Sequence, residues 1–242
     1  PLGDEEVGSI EENIGLVGLL MDPIYRPYLC QFLLDGTVEA CAEQIFTNTE
    51  DDGDVVPPDT EYRYGGAQWQ VAGGVAEAVT GKPWAQLIDE IYVQPCGLES
   101  LAYNNHFTQL GTQGFEYPPA FDSDPTKLVA TDNPNMEGGA YLNPGDYAEL
   151  LLMHLRGGRC GDTQVLSRES VALMQRNRSA ALGTNYGMAW WIAPGREGES
   201  TVVYDPGAFG SISWLDMERG IGGYVAIDDY DSGASRDVHA LV

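Results

Sequence analysis

Lysine is nearly absent from this chain. Lys82 and Lys127 are the only two in 242 residues, and Lys plus Arg total 12 against 37 Asp plus Glu. The formal net charge is −25 and the pI is near 4.1. A field of that sign repels nucleic acid and anionic membranes. It keeps a protein soluble and suits high salt, where screening weakens self-repulsion. Salt adaptation and simple acidity both fit it. Long apolar runs are missing too, and nothing approaches the ~20 residues of a membrane-spanning helix. Histidine occurs three times, as His106, His154 and His239, without metal-ligand spacing. No internal repeat is visible, and no signal peptide opens the chain.

Cysteine is sparse, with no C-x-x-C among Cys30, Cys41, Cys96 and Cys160. That argues against zinc or thioredoxin-like chemistry. An even count permits two disulfides. Cys30–Cys41 would close a short loop, and Cys96–Cys160 would tie two helix ends together. Four buried thiols are the alternative. The acidic run Asp51-Asp52-Gly53-Asp54 lacks the terminal glutamate of a calcium loop and reads as solvated.

What is present is enough apolar sequence, 43%, for a real core. Thr37 caps a helix expected over Val38 to Phe46. Pro57 and Pro58 stop the chain before Glu61-Tyr62-Arg63-Tyr64-Gly65-Gly66. The glycines permit close backbone approach. A helix then begins with an apolar stripe through Trp69, Val71, Ala72, Val75, Ala76 and Val79. Thr80-Gly81-Lys82-Pro83 ends it, with glycine at the stop and proline beyond. Tyr64 therefore stands at the lip of a buried helix, where it can reach a pocket.

Further helices are expected over Trp84 to Ile91, Tyr147 to Leu155, and from Leu166 to Met174. Residues 21–36 read as loop, Ser9 to Glu12 as one capped helical turn, and 234–242 as a closing helix. The polar, proline-rich stretch 103–136 is long enough to be a functional loop or lid. Tyr186 to Ile192, Thr201 to Tyr204, Ser211 to Asp216 and Gly223 to Ile227 read as strands. Asp205-Pro206-Gly207 and Glu218-Arg219-Gly220 read as turns of an antiparallel meander.

Several of these stretches, in order, resemble the serine hydrolases of the β-lactamase and penicillin-binding-protein superfamily, especially class C β-lactamase-like esterases and peptidases. Tyr64 matches the tyrosine of the Tyr-x-Asn motif, with Gly66 at the asparagine. Gly138-Gly139-Ala140-Tyr141 resembles the Gly-Gly-Leu segment at the pocket edge. Leu166-Ser167 to Met174 is similar to a Leu-Ser-x-x-x-Val-x-x-Met helix start, and Tyr186 to Ile192 to a Tyr-Gly-x-Gly-Trp strand. Asp205-Pro206-Gly207-Ala208 stands where the superfamily has Lys-Thr-Gly or His-Thr-Gly. A plain Asp-Pro-Gly turn is the competing reading there.

The resemblance covers roughly residues 15–230. It implies an α+β, β-lactamase/transpeptidase-like fold with an antiparallel sheet and a helical region, incomplete at the N-terminus. The chain is then one domain portion over 1–242, helical over about 37–180 and stranded over about 186–230. The implied reaction is acyl transfer to water from an ester, amide or β-lactam, without cofactor or metal. Tyr64 would be general base or proton relay, and the Ala208 N–H an oxyanion donor. Gly66, Tyr141, Trp190, Asp205, Gly207 and Phe209 would contact substrate.

The family's Ser-x-x-Lys, which sets an amine beside the nucleophile by one helical turn, does not occur in these residues. The nucleophile is expected outside this chain, on a second chain or on a missing N-terminal segment. The implied partner is a small acyl substrate, and the implied location is secreted or periplasmic. A secreted binding or scaffold module that kept the fold without the chemistry is the other reading.

Overall fold

Asparagine side chains create the first element. Arg26–Phe32 is a 3-10 helix, with Pro27 in its first turn supplying a suitable φ. The free carbonyls at its end need donors. Asn133 Nδ2 donates to Cys30 O at 2.7 Å and Leu33 O at 2.9 Å. Asn105 Nδ2 donates to Gln31 O at 2.8 Å, and Asn135 Nδ2 to the same oxygen at 3.0 Å. The loop expected over 21–36 is thus corrected for residues 26–32. Its partners lie 74 to 104 positions away, beyond any local pattern.

The computed structural model describes residues 25–49, 55–105, 124, 127–194, 201–207 and 211–226. The chain forms two compact units, Pro1–Glu90 with Ser100–Leu142, and Ile91–Glu99 with Asn143–Val242. The expected turn at Ser9–Glu12, the acidic loop at 51–54 and the closing helix at 234–242 lie outside the described residues. So does most of the proline-rich loop.

In the first unit, α1 (Val38–Phe46) starts at Thr37, whose hydroxyl accepts from the Ala40 N–H at 3.1 Å. Helix α2 (Ala67–Thr80) ends at Gly81 in the left-handed conformation, as the sequence anticipates. Its buried face only partly follows the expected stripe, with Val71 packed at the core. Ala67, Gln70, Gly73 and Gly74 point inward, while Val75 and Val79 are 56% and 76% exposed. The glycines decide this. A Cβ at Gly74 would strike the Ala42 methyl of α1, so the two helices approach over a smooth glycine surface. Cys41, Ile45 and Ala67 form the core there, flanked by Tyr28, Cys30 and Val71.

Helix α3 (Trp84–Ile88) runs on as a π-turn, Asp89–Val93, and a last short turn, Gln94–Cys96. It therefore outlasts the expected end at Ile91. Strands β1 (Ala102–Tyr103) and β2 (Ala140–Tyr141) pair antiparallel, with Ala102 opposite Tyr141.

In the second unit, α4 (Pro144–Leu155) is capped by Asn143, whose side chain accepts from the Asp146 N–H at 2.9 Å. Strands β3 (Arg159–Cys160) and β4 (Thr163–Gln164) make a small hairpin. Helix α5 (Arg168–Met174) follows, capped by Ser167. Then comes a four-stranded antiparallel sheet in chain order: β5 (Trp191–Ile192), β6 (Val202–Pro206), β7 (Ile212–Asp216) and β8 (Ile221–Val225). Leu151 of α4 packs with Trp190, Ile192, Val203 and Leu215 as the core.

Two strand expectations need correction. Residues 186–192 are not one strand: Tyr186 bridges back to Trp191, and the Gly187 N–H donates to Trp190 O at 2.7 Å. Ala189 takes φ 61° in the resulting turn. Asp205 and Pro206 are not a turn either, since they pair with Ser213 and Ile212 inside the sheet. Proline is tolerated there because β5 pairs only with Val203 and Tyr204, so β6 is a local edge at Pro206 and no ladder partner among the described residues awaits its missing N–H.

Both disulfides are formed, Cys30–Cys41 in the first unit and Cys96–Cys160 in the second.

Candidate active site

Tyr64 lies half-buried in the extended segment that enters α2. Gly66 is buried at the helix N-cap, with φ −76° and ψ −36°. Those angles are ordinary right-handed values that any residue adopts. Space, not backbone conformation, accounts for the glycine. A Cβ built at position 66 would collide with the carboxylate of Glu137.

Glu137 sits on the turn 136–138 just before β2, the strand that carries Tyr141. Both sides of that turn are held. The Met136 N–H donates to Gln70 Oε1 at 3.0 Å, and the Gly138 N–H donates to Asn135 Oδ1 at 2.6 Å. Gln70 and Asn135 are fully buried. Gln70 stands one turn along α2 from Gly66 and also donates to Asn133 Oδ1 at 3.0 Å. In the first unit the buried Gln70 and Asn135 side chains thus hold the 136–138 turn, with Glu137 against Gly66 at the start of α2. Tyr141 is half-buried, and burial, then the nearby Asp124 charge, raise its hydroxyl pKa above the usual tyrosine value. It remains a hydrogen-bond donor at neutral pH.

The remaining candidates belong to the second unit. Asp205 and Gly207 lie at the end of β6, and the Gly207 N–H donates to Ser211 O at 2.7 Å. Ala208 and Phe209 lie outside the described residues. Strand alternation puts Asp205 on the face of buried Val203. It still reaches solvent, while the protein packed around it raises its carboxyl above the ordinary aspartate range. Its charge also acts on Tyr147 of α4, whose hydroxyl is raised first by burial. Trp190 is 7% exposed, a core residue with its ring edge-on to His154.

His106 and His239 lie outside the described residues. No group of three or more His, Cys, Asp or Glu able to hold a metal occurs among the described residues.

Glu137, Gln70, Asn133 and Asn135 were not singled out from the sequence. The one available signal was Gly66, a glycine at a helix start with no turn to make. The amides leave no periodic trace, because their partners are remote.

Helices combined with antiparallel sheets are the architecture of the β-lactamase/transpeptidase-like α+β class. The chain belongs to the β-lactamase family, whose model ("Beta-lactamase") matches residues 31–241. It is 27% identical over 211 residues to penicillin-binding protein 4 of Amycolatopsis lactamdurans, covering 81% of this chain and 54% of that protein. Among solved structures, EstCE1, a hydrolase with promiscuous acyltransferase activity, aligns with a TM-score of 0.61 at 19% identity. It covers 84% of this chain and 60% of that one. The octameric penicillin-binding protein homologue from Pyrococcus abyssi aligns with a TM-score of 0.58 at 16% identity, covering 88% of this chain and 51% of that one. These structural likenesses bear on the fold. The chain spans about half the length of the curated relatives it matches.

Proposed function

We propose that this chain is part of a serine hydrolase that transfers an acyl group from an ester, amide or β-lactam to water. The nucleophilic serine and its lysine would come from residues outside this chain, on a further segment or a second polypeptide. The observation that carries the reading is Tyr64, in the family's tyrosine position, held at the entry of a helix whose next turn anchors a buried framework through Gln70. The Tyr64 hydroxyl would take the nucleophile's proton and return it to the leaving group. The Ala208 N–H would stabilise the developing oxyanion, worth about 3 kcal/mol for a well-aimed donor. By the family's motifs, Gly66 and Tyr141 of the first unit are candidate substrate contacts, and so, separately, are Asp205, Gly207 and Phe209 of the second. The two disulfides support a secreted or periplasmic location, where such bonds persist.

The test is fluorophosphonate labelling of the purified protein, with intact masses of every polypeptide present. An adduct on a longer chain containing these residues, or on a second chain, is the expected result. With activity on a short-chain p-nitrophenyl ester in hand, Tyr64→Phe should lower kcat by about a hundredfold, in the range of general acid–base effects. An unchanged kcat removes Tyr64 from the mechanism.

A non-catalytic binding module is the second reading. It is favoured by the absence of Ser-x-x-Lys in these residues and by an acidic Asp205 in the place of a cation. No adduct together with no ester hydrolysis would support it.

A further inference from the structure

We propose that the first unit binds a small organic ammonium ion in a cavity at the far end of α2 from Tyr64. This site is independent of the hydrolase reading. Three observations carry it.

A cavity of about 340 Å³ opens where the end of α2, the start of α3, the start of α1 and residues 131–134 come together. All of its lining residues belong to the first unit. Helix α2 has 14 residues, so its two ends lie about 21 Å apart at 1.5 Å per residue. Tyr64 precedes one end, and the cavity adjoins the other. The volume is that of a small-molecule site.

Two of its walls are aromatic. Trp84 and Tyr103 both line the cavity, and their rings meet edge-to-face, with centroids 5.5 Å apart and planes at 85°. Two rings at right angles form a corner, as in the aromatic cages that hold ammonium groups. Hydrogen bonding does not account for a tryptophan at position 84. Its Nε1 is buried with no acceptor among the described residues. A buried donor left unmet is destabilising, and phenylalanine would pack without that penalty. What tryptophan adds is the ring that attracts a cation most strongly.

The charge around the rings is negative. Glu39, Glu77 and Asp132 line the cavity against one base, Lys82, which is already paired with Glu90. Glu39 and Asp132 are exposed, and neither side chain takes part in an ion pair or hydrogen bond among the described residues. Glu77 Oε1 accepts the Trp84 N–H at 2.6 Å, which sets a carboxylate beside that residue. An aromatic corner rimmed by carboxylates repels anions and offers a neutral ligand only apolar contact. An ammonium group on an apolar body gains from both the rings and the charges.

The competing account is the acidity of the whole surface, which attracts any cation. It predicts no dependence on these particular residues.

The experiment titrates the intact protein with choline and with its neutral isostere, 3,3-dimethylbutan-1-ol. Sodium chloride at about 0.15 M screens the overall field. Dissociation constants are read from the ligands' methyl proton resonances. Choline should bind about tenfold more tightly than the alcohol, the combined scale of a cation–π contact and exposed ion pairs. The Glu39→Gln/Asp132→Asn double variant alters two exposed carboxyls and keeps nearly all of the net charge of −25. It should lower the ratio to about threefold. Trp84→Leu should also lower the ratio, and Trp84→Phe should keep part of what Trp84→Leu loses. If Trp84→Leu does not fold, the exposed double variant decides alone.

Equal binding of the two ligands by the native protein, or no binding of either, overturns the proposal. A ratio unchanged in the double variant overturns it as well, because the acidity of the whole surface would then be its source. Ester hydrolysis plays no part in the readout, so failure of the Tyr64 mechanism and failure of this site are told apart.

Discussion

His154 points from α4 into the core of the second unit, 5.6 Å between ring centroids from Trp190. Its Nδ1 has no hydrogen-bond partner among the described residues. Burial lowers its pKa from 6.5 to about 4. The sign follows from linkage. A folded-state pKa below the unfolded value means the unfolded chain takes up the proton first. Stability is then full above about pH 6.5 and is lost as pH falls towards about 4. The loss amounts to roughly 3 kcal/mol at most, at 1.36 kcal/mol per pKa unit. His154→Phe should keep the edge contact and remove that acid limb. Urea midpoints at pH 7 and pH 4.5 for both proteins measure it. If the native and variant proteins lose stability in parallel, other groups, such as the Asp216 carboxyl, account for the acid limb. Backbone and side-chain hydrogen bonds from Arg219 lower that carboxyl.

At the scale of elements, α2 is anchored by a buried amide, with Val71 at the core's edge and Val75 and Val79 left exposed. Gln70 donates to Asn133 Oδ1 and Pro134 O and accepts from the Met136 N–H, all in the interior. Gln70→Leu would leave the Met136 N–H and Asn133 Oδ1 without this partner. At about 1–3 kcal/mol for each buried group left unpaired, a loss of roughly 2–4 kcal/mol is expected. Val79→Thr, at a site 76% exposed, should change stability by less than about 0.5 kcal/mol. Chemical denaturation of the two variants compares them directly, and a larger loss at Val79 would restore the valine stripe as the packed face.

Apolar periodicity places this helix and its stop at Gly81 but favours the side that carries exposed Val75 and Val79. Apolar spacing reports which residues could be buried, but α1 approaches over Gly73 and Gly74. Their lack of side chains makes that side the more closely packed. The same difficulty hid the 3-10 helix at 26–32. Its stabilising donors come from Asn105, Asn133 and Asn135, far along the chain.

The whole molecule is governed by charge and by cross-links. With 37 acidic and 12 basic residues, self-repulsion opposes the compact state. Raising sodium chloride from about 0.05 to 0.5 M shortens the Debye length several-fold and should raise the melting temperature. A melting temperature that falls over this range would remove salt adaptation as an account of the composition.

The disulfides differ in reach, with sequence separations of 11 for Cys30–Cys41 and 64 for Cys96–Cys160. Loop-closure entropy assigns about 3 kcal/mol to the shorter and about 4 kcal/mol to the longer. The Cys96→Ala/Cys160→Ala double variant should therefore lose more stability than Cys30→Ala/Cys41→Ala, as read from equilibrium unfolding without reductant.

The sequence alone determined what depends on local chemistry and on order along the chain. That includes the acidic field, the cap at Thr37, the stop at Gly81, the sheet-rich last third and the family's succession of motifs. Hydrogen-bonding groups within a few residues of each other settle such features. The tertiary structure alone decided which face of α2 is buried, that Asp205 and Pro206 belong to a strand, and that Glu137 fills the space left by Gly66. Each of these is a matter of volume and of partners brought together from distant positions, and one-dimensional spacing carries no record of either.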